Sequence, residues 1–302
     1  MKKTVKIAQW SQLNCIYLPL YVAMQEGLFD RYGITIQLIP TGNDDEIYQA
    51  VMSGKADIGL GDPTFCAMPR KGKAAKKSKS YIIADICSRV ALWGITHSPV
   101  IHDIETEKDF VGLRLGCFPS PSTSHTLLNA AKKNNKRLLK SMQIIEAPIG
   151  QQSDLLFADK ADIALYIEPF ISIAEERGGR VVYSPAQIYE DYAFSALYSS
   201  EAFIGKNIEV IENIRDAIQD ALDLLHSSPE IGIKAAQHLF PELKPALLKR
   251  AVKRCLSDKI WPKTILASPK GWDTAIQTRK DAGYNISPDS KHISDIEYKR
   301  DF

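Results

Sequence analysis

The side chains best suited to chemistry in this sequence stand where apolar runs give way to short polar segments. Ser120, Ser122, Thr123 and Ser124 precede a run of helical spacing, where free backbone N–H groups and the helix dipole favour an anion. The same residue types also serve as ordinary N-caps. Asp62 and Glu168 each end a short apolar run, and carboxylates there suit a ligand with amino or ring N–H donors. Asp62 alternatively caps the turn that opens at Pro63-Thr64. Trp10, Tyr17, Trp93, Tyr166 and Tyr192 occupy the same kind of boundary, where rings either stack on a flat ligand or pack in a core. Cys15 reads first as a small buried loop cysteine; because it precedes a helix start, a place that can lower a thiol's pKa, a nucleophile is the alternative.

The elements that must position these residues alternate in type. Segments 3–10, 34–39, 56–61 and 81–86 read as strands, with a helix from Tyr17 that Gly27 closes and another from Asp44 or Asp45 to Gly54. A second unit repeats the pattern without repeating the sequence. Its strands are 111–118, 142–147, 161–167 and 180–183, and its helices are 125–133, 153–158 and 171–176, with 136–140 as helix or loop. Segment 91–96 reads as a further strand. After Tyr198 come helices over 208–226, 230–239 and 245–256, expected to pack on the first unit, and then a polar tail. The fold class is therefore α/β, two-lobed, each lobe a mixed and mostly parallel sheet flanked by helices. Residues 1–92 plus 196–302 form one lobe and 93–195 the other, with crossovers near 88–100 and 190–200. In open sheets of this kind, ligands bind beyond the carboxyl ends of the strands. The candidate positions above, Thr64 included, fall there.

Composition sets outer limits. A chain of 302 residues suits two domains, and 38 basic against 36 acidic residues leave no field for nucleic acid. No apolar stretch approaches the ~20 residues of a spanning helix. The basic run from Arg70 to Lys79 reads as a solvated helix end and loop. Cysteines 15, 66, 87, 117 and 255 suggest neither a disulfide framework nor a zinc site. No metal or cofactor is expected, and the chain is expected to be a monomer. The start is basic but lacks an apolar h-region. The expectation is a periplasmic or extracytoplasmic protein if a leader was trimmed, and a cytoplasmic one otherwise.

Four blocks carry a family resemblance. They are Leu20 to Phe29 followed by Tyr32-Gly33-Ile34, then Gly54-Lys55-Ala56-Asp57-Ile58-Gly59, then Asp109 to Gly116, then Ala161-Asp162 to Glu168-Pro169. In this order they resemble the nitrate, sulfonate, taurine and thiamine-pyrimidine binding proteins of ABC transporters, the NMT1/THI5-like and SsuA-like group with the type II periplasmic-binding-protein fold. The resemblance implies capture of a small polar organic molecule (pyrimidine or other heterocycle, aromatic carboxylate or sulfonate) and delivery to an ABC permease. It implies a ligand role for Trp10, which the thiamine-pyrimidine binders place at this strand end, and more loosely for Asn14. The chain departs from those binders at Leu13-Asn14 and Tyr17. The first loop is also similar to that of the aromatic sulfinate desulfinase, an enzyme of the same fold with an Asn-Cys pair. That parallel implies Cys15 as nucleophile, with Arg70 and His97 assisting.

Overall fold

Alternation in the first segment builds β1 (Lys3–Trp10), whose Val5 and Ile7 are fully buried, and which runs parallel to β2 (Ile34–Thr41) and β3 (Ile58–Gly61). The computed structural model describes residues 2–69, 79–287 and 292–299; Arg70 and the basic run as far as residue 78 lie outside them. Helix α1 (Leu18–Gln25) closes at Gly27 as expected, where φ of +66° turns the chain into a 3-10 segment over Phe29–Tyr32. Helix α2 (Asp44–Met52) is capped by neither of the two expected aspartates. The Asn43 side chain accepts from Glu46 N–H at 2.9 Å, and Asp44, inside the first turn, is free to face the strand ends.

After β4 (Ser80–Cys87) the chain changes sheet. Strand β5 (Trp93–Thr96) enters the second sheet antiparallel to both its neighbours, and β10 (Ser195–Ser200) returns to the first in the same fashion. With β6 (Arg114–Cys117), β7 (Gln143–Glu146), β8 (Ile163–Tyr166) and β9 (Arg180–Tyr183), the orders are β2-β1-β3-β10-β4 and β7-β6-β8-β5-β9. The two-sheet α/β architecture expected from the sequence is thus observed. Each sheet is parallel except for the strand that crosses over.

Helices α3 (Thr123–Asn134), α4 (Lys136–Ser141), α5 (Gln152–Phe157), α6 (Phe170–Glu176) and the short α7 (Pro185–Ile188) accompany the second sheet. Beyond β10 come α8 (Glu201–Ile204), α9 (Ile208–Ser227), α10 (Pro229–Leu239) and α11 (Pro245–Ser257). Two expectations fail here. The last helices do not pack on the first unit alone, because α9 and α10 lie on α1 whereas α11 lies against both α10 and α6. The tail is not merely polar, because it contains α12 (Pro269–Asp281), which packs on α3. Trp272, Ala275, Ile276 and Arg279 recur at helical spacing and are all at most 2% exposed. Among the described residues, no helix is long and apolar enough to cross a membrane.

Candidate functional site

Both sheets point the carboxyl ends of parallel strands at one crevice. Trp10 ends β1, Asp62 follows β3, Phe118 follows β6, and Tyr166 ends β8. A cavity of about 960 Å³ opens there, walled by Trp10 to Gln12, Asn43 to Glu46, Phe65, Phe118 to Ser122, Pro148 and Ile149. A much smaller void of about 10 Å³ lies deeper and adds Tyr17, Asp62, Thr123, Ser124 and Ser195 to the lining. The Trp10 and Phe118 rings face each other from opposite sheets at 5.4 Å, tilted by 55°. Gln12 Nε2 donates to Tyr166 Oη at 2.9 Å, a second tie across the crevice. Trp10 Nε1 is buried without a hydrogen-bond partner.

Asp44 and Asp62 are the buried acids of this crevice. One Asp44 oxygen accepts from Asp62 N–H at 3.0 Å. The approach requires Gly61, since a Cβ there would stand 2.4 Å from Asp44 Oδ1. Burial, reinforced by the charge of Asp62, raises the Asp44 carboxyl to about 7; that N–H, Arg279 and the nearby indole of Trp10 limit the rise. Asp62 accepts from Thr64 N–H at 2.9 Å and Thr64 Oγ1 at 2.5 Å, so the expected cap forms. Its second oxygen accepts from Thr123 Oγ1 at 2.6 Å and from Arg279 Nη2 at 2.5 Å. Arg279 also donates to Thr64 Oγ1 at 3.0 Å, Pro121 O at 2.5 Å and Thr126 Oγ1 at 2.7 Å. One buried guanidinium therefore joins the end of β3 to the start of α3.

The hydroxyl run ahead of α3 is engaged internally. Ser122 caps His125 N–H at 3.3 Å, and Ser124 Oγ accepts from Phe118 N–H at 3.1 Å. Ser120 N–H donates to Glu146 at 3.1 Å, and Ser120 Oγ meets Tyr284 Oη at 3.0 Å. A carboxylate thus occupies part of the helix start at which an anion was expected.

Other expected residues lie away from the cavities. Asn14 is buried and accepts from Tyr17 N–H at 3.1 Å, closing the turn into α1. Tyr192 is buried beside Tyr189. Trp93 donates to Asp258 at 2.6 Å and lines a separate hollow of about 380 Å³ with Arg250 and Arg254. Glu168 is fully buried and paired with Arg254 and Ser172; burial raises its carboxyl and Arg254 opposes the rise. Cys15 takes the buried form of its two expected readings. Its thiol is fully buried, and burial pushes it well above its ordinary value, with Glu168 adding to the effect. Desolvation outweighs the helix terminus that was expected to lower it. His97 is exposed and bound to Asp159 at 3.1 Å, just past the end of β5, which runs antiparallel to the strands whose carboxyl ends meet the crevice. None of the five cysteines is in a disulfide, and no cluster suited to a metal ion occurs among the described residues.

Sequence reasoning placed Phe118 at the cleft but missed Arg279 and the part Asp44 plays there. The signal for Arg279 was present, since it continues the spacing of Trp272, Ala275 and Ile276, where a charge on an apolar stripe marks a buried partner.

The comparisons agree with this geometry. The family model described as NMT1/THI5 like matches residues 14–231. No curated protein sequence matches significantly. A protein of Bordetella bronchiseptica RB50 superposes with a TM-score of 0.78 at 18% identity, covering 99% of this chain and 95% of its own. The periplasmic aliphatic sulphonate binding protein SsuA from Escherichia coli gives 0.72 at 15% identity, covering 98% and 99%. The ligand binding component of an ABC-type import system from Staphylococcus aureus, with zinc bound, gives 0.70 at 14%, covering 92% and 91%. At these identities the likeness is one of fold.

Proposed function

Because the chain belongs to the NMT1/THI5-like family, we propose that it is the solute-binding component of an ABC-type import system, holding a small flat organic molecule between two lobes. The observation that carries this reading is the meeting of both sheets' strand ends on one cavity of about 960 Å³ walled by Trp10, Phe65 and Phe118. The fold shared with the import component from Staphylococcus aureus supports it. Residues 1–92 and 196–302 act as one lobe and 93–195 as the other, with α11 and α12 as bridges. Trp10, Ser120, Ser122, Thr123, Asp62 and Tyr166 serve the ligand or the closure around it. The protein works outside the cytoplasm as a monomer, without a cofactor, and its closed form is what the permease recognises.

A thermal-shift panel of pyrimidines, other heterocyclic amines, aromatic carboxylates and sulfonates tests this, because a ligand of the folded state raises the melting temperature by mass action. Stabilisation by at least one compound, lost in Trp10→Ala, is the expected result. Turnover of a panel compound without stabilisation by any of them would sink the reading.

A further inference from the structure

Trp10, Asp44, Phe118 and Ser122 line both the open cavity and the void beneath it, so a ligand reaching inward must pass them. Asp44 is 5% exposed and receives the Asp62 N–H on one oxygen only. The buried guanidinium nearby, Arg279, is committed to Asp62, Thr64, Thr126 and Pro121. Glu46 adds a second carboxylate to the wall of the open cavity, and none of the described residues lining it is Lys, Arg or His. A carboxylate held out of water gains most from a cation brought to it, and a second anion there meets repulsion without compensating hydration. A donor beside Asp44 points to the same ligand. Trp10 is 9% exposed, lines both cavities, and its Nε1–H lies close enough to lower the Asp44 carboxyl without making a well-formed hydrogen bond. The Trp10 and Phe118 rings touch each other at 5.4 Å and together present aromatic surface on which a flat π system can pack, whose positive charge they also favour.

We infer that this cleft selects a flat organic cation or protonated amine that also carries a hydrogen-bond acceptor, with Asp44 receiving its N–H groups and Trp10 Nε1 meeting its acceptor, and that it rejects sulfonates and carboxylates. The inference rests on the reading of the crevice as a solute site and adds the charge of the solute. It separates this chain from a binder of aliphatic sulphonates despite the common fold.

Three probes of one shape and different charge decide it: 4-amidinobenzamide, 4-carbamoylbenzoate and 4-carbamoylbenzenesulfonate. Calorimetry on the full chain is expected to show the amidine binding about tenfold or more tighter than either anion, with that margin erased in Asp44→Asn. Equal binding, or preference for an anion, overturns the inference and leaves the solute-binding reading intact. Binding of none of the three, together with no stabilisation across the wider panel, overturns both. The wild-type comparison decides the matter even if Asp44→Asn does not fold.

Discussion

Arg279 shows how far a single residue can govern this molecule. Its guanidinium is fully buried and shares Asp62 with Thr123, so removing it strands a buried carboxylate. Arg279→Met is expected to lower unfolding free energy by ~3–5 kcal/mol, because one partner of a buried pair is left uncompensated. Asp62→Asn in the same chain should restore much of the loss, and urea denaturation of the cycle measures it; strictly additive losses would show that the pair is not coupled. The thiols give a second residue-scale expectation. Cys15, Cys87, Cys117 and Cys255 are buried, and burial raises each thiol above its ordinary value, whereas Cys66 is half-buried. A thiol reagent should therefore modify Cys66 first and the others only on unfolding. Rapid loss of the Cys15 thiol in the native protein would reopen its nucleophilic role. The type and strand-end position of Asp62 and Trp10 could be read from the sequence. The state of Cys15 could not, because local order says nothing about the layers that close over a loop.

At the scale of elements, the crevice depends on how strands hand over to helices. Gly61 lets the Asp44 carboxylate reach the backbone after β3, and any side chain there would displace it. Gly61→Ala should weaken solute binding at least as much as Asp44→Asn does, and a crystal structure of the variant should show the Asp62 N–H released. An unmoved Asp44 would mean that α2 alone positions it. Periodicity located β1, α2, α9 and α11 because each buries a face of regular spacing. It mislabelled the tail, since α12 has only one narrow stripe and a charge within it. The cap of α2 shifted by one residue for a related reason. Asn43 and Asp44 are both good cap types, and only the pull of Asp62 N–H on Asp44 separates them.

Across the whole molecule, two buried acids oppose stability at neutral pH. Burial raises Asp85, on β4, to about 8, with Ile86 N–H opposing and Glu297 adding to the rise, and Asp44 stands at about 7. Each carboxyl is raised above its ordinary value, so the folded state holds the proton more tightly than the unfolded chain. The stability this confers is full at low pH and is lost as pH rises from about 4 towards about 8. Burial pushes Asp162 up, but the hydrogen bonds from Arg114 and the charge of its guanidinium together bring it below its ordinary value, so it acts in the opposite sense at the acid end. Asp85→Asn should therefore flatten the fall in melting temperature between about pH 6 and about pH 8. Parallel wild-type and variant curves would show that Asp85 keeps its charge. By itself the sequence determined the alternation of strands and helices, the two units, the family and the strand-end candidates, because periodicity and turn residues act over short stretches of chain. Only the tertiary structure decided which candidates meet. The crossings of β5 and β10 and the return of α12 bring residues 10, 44, 62, 118 and 279 together from distant parts of the chain. Burial then fixed their charges, committing Arg279 to Asp62 and leaving Asp44 to face the cleft.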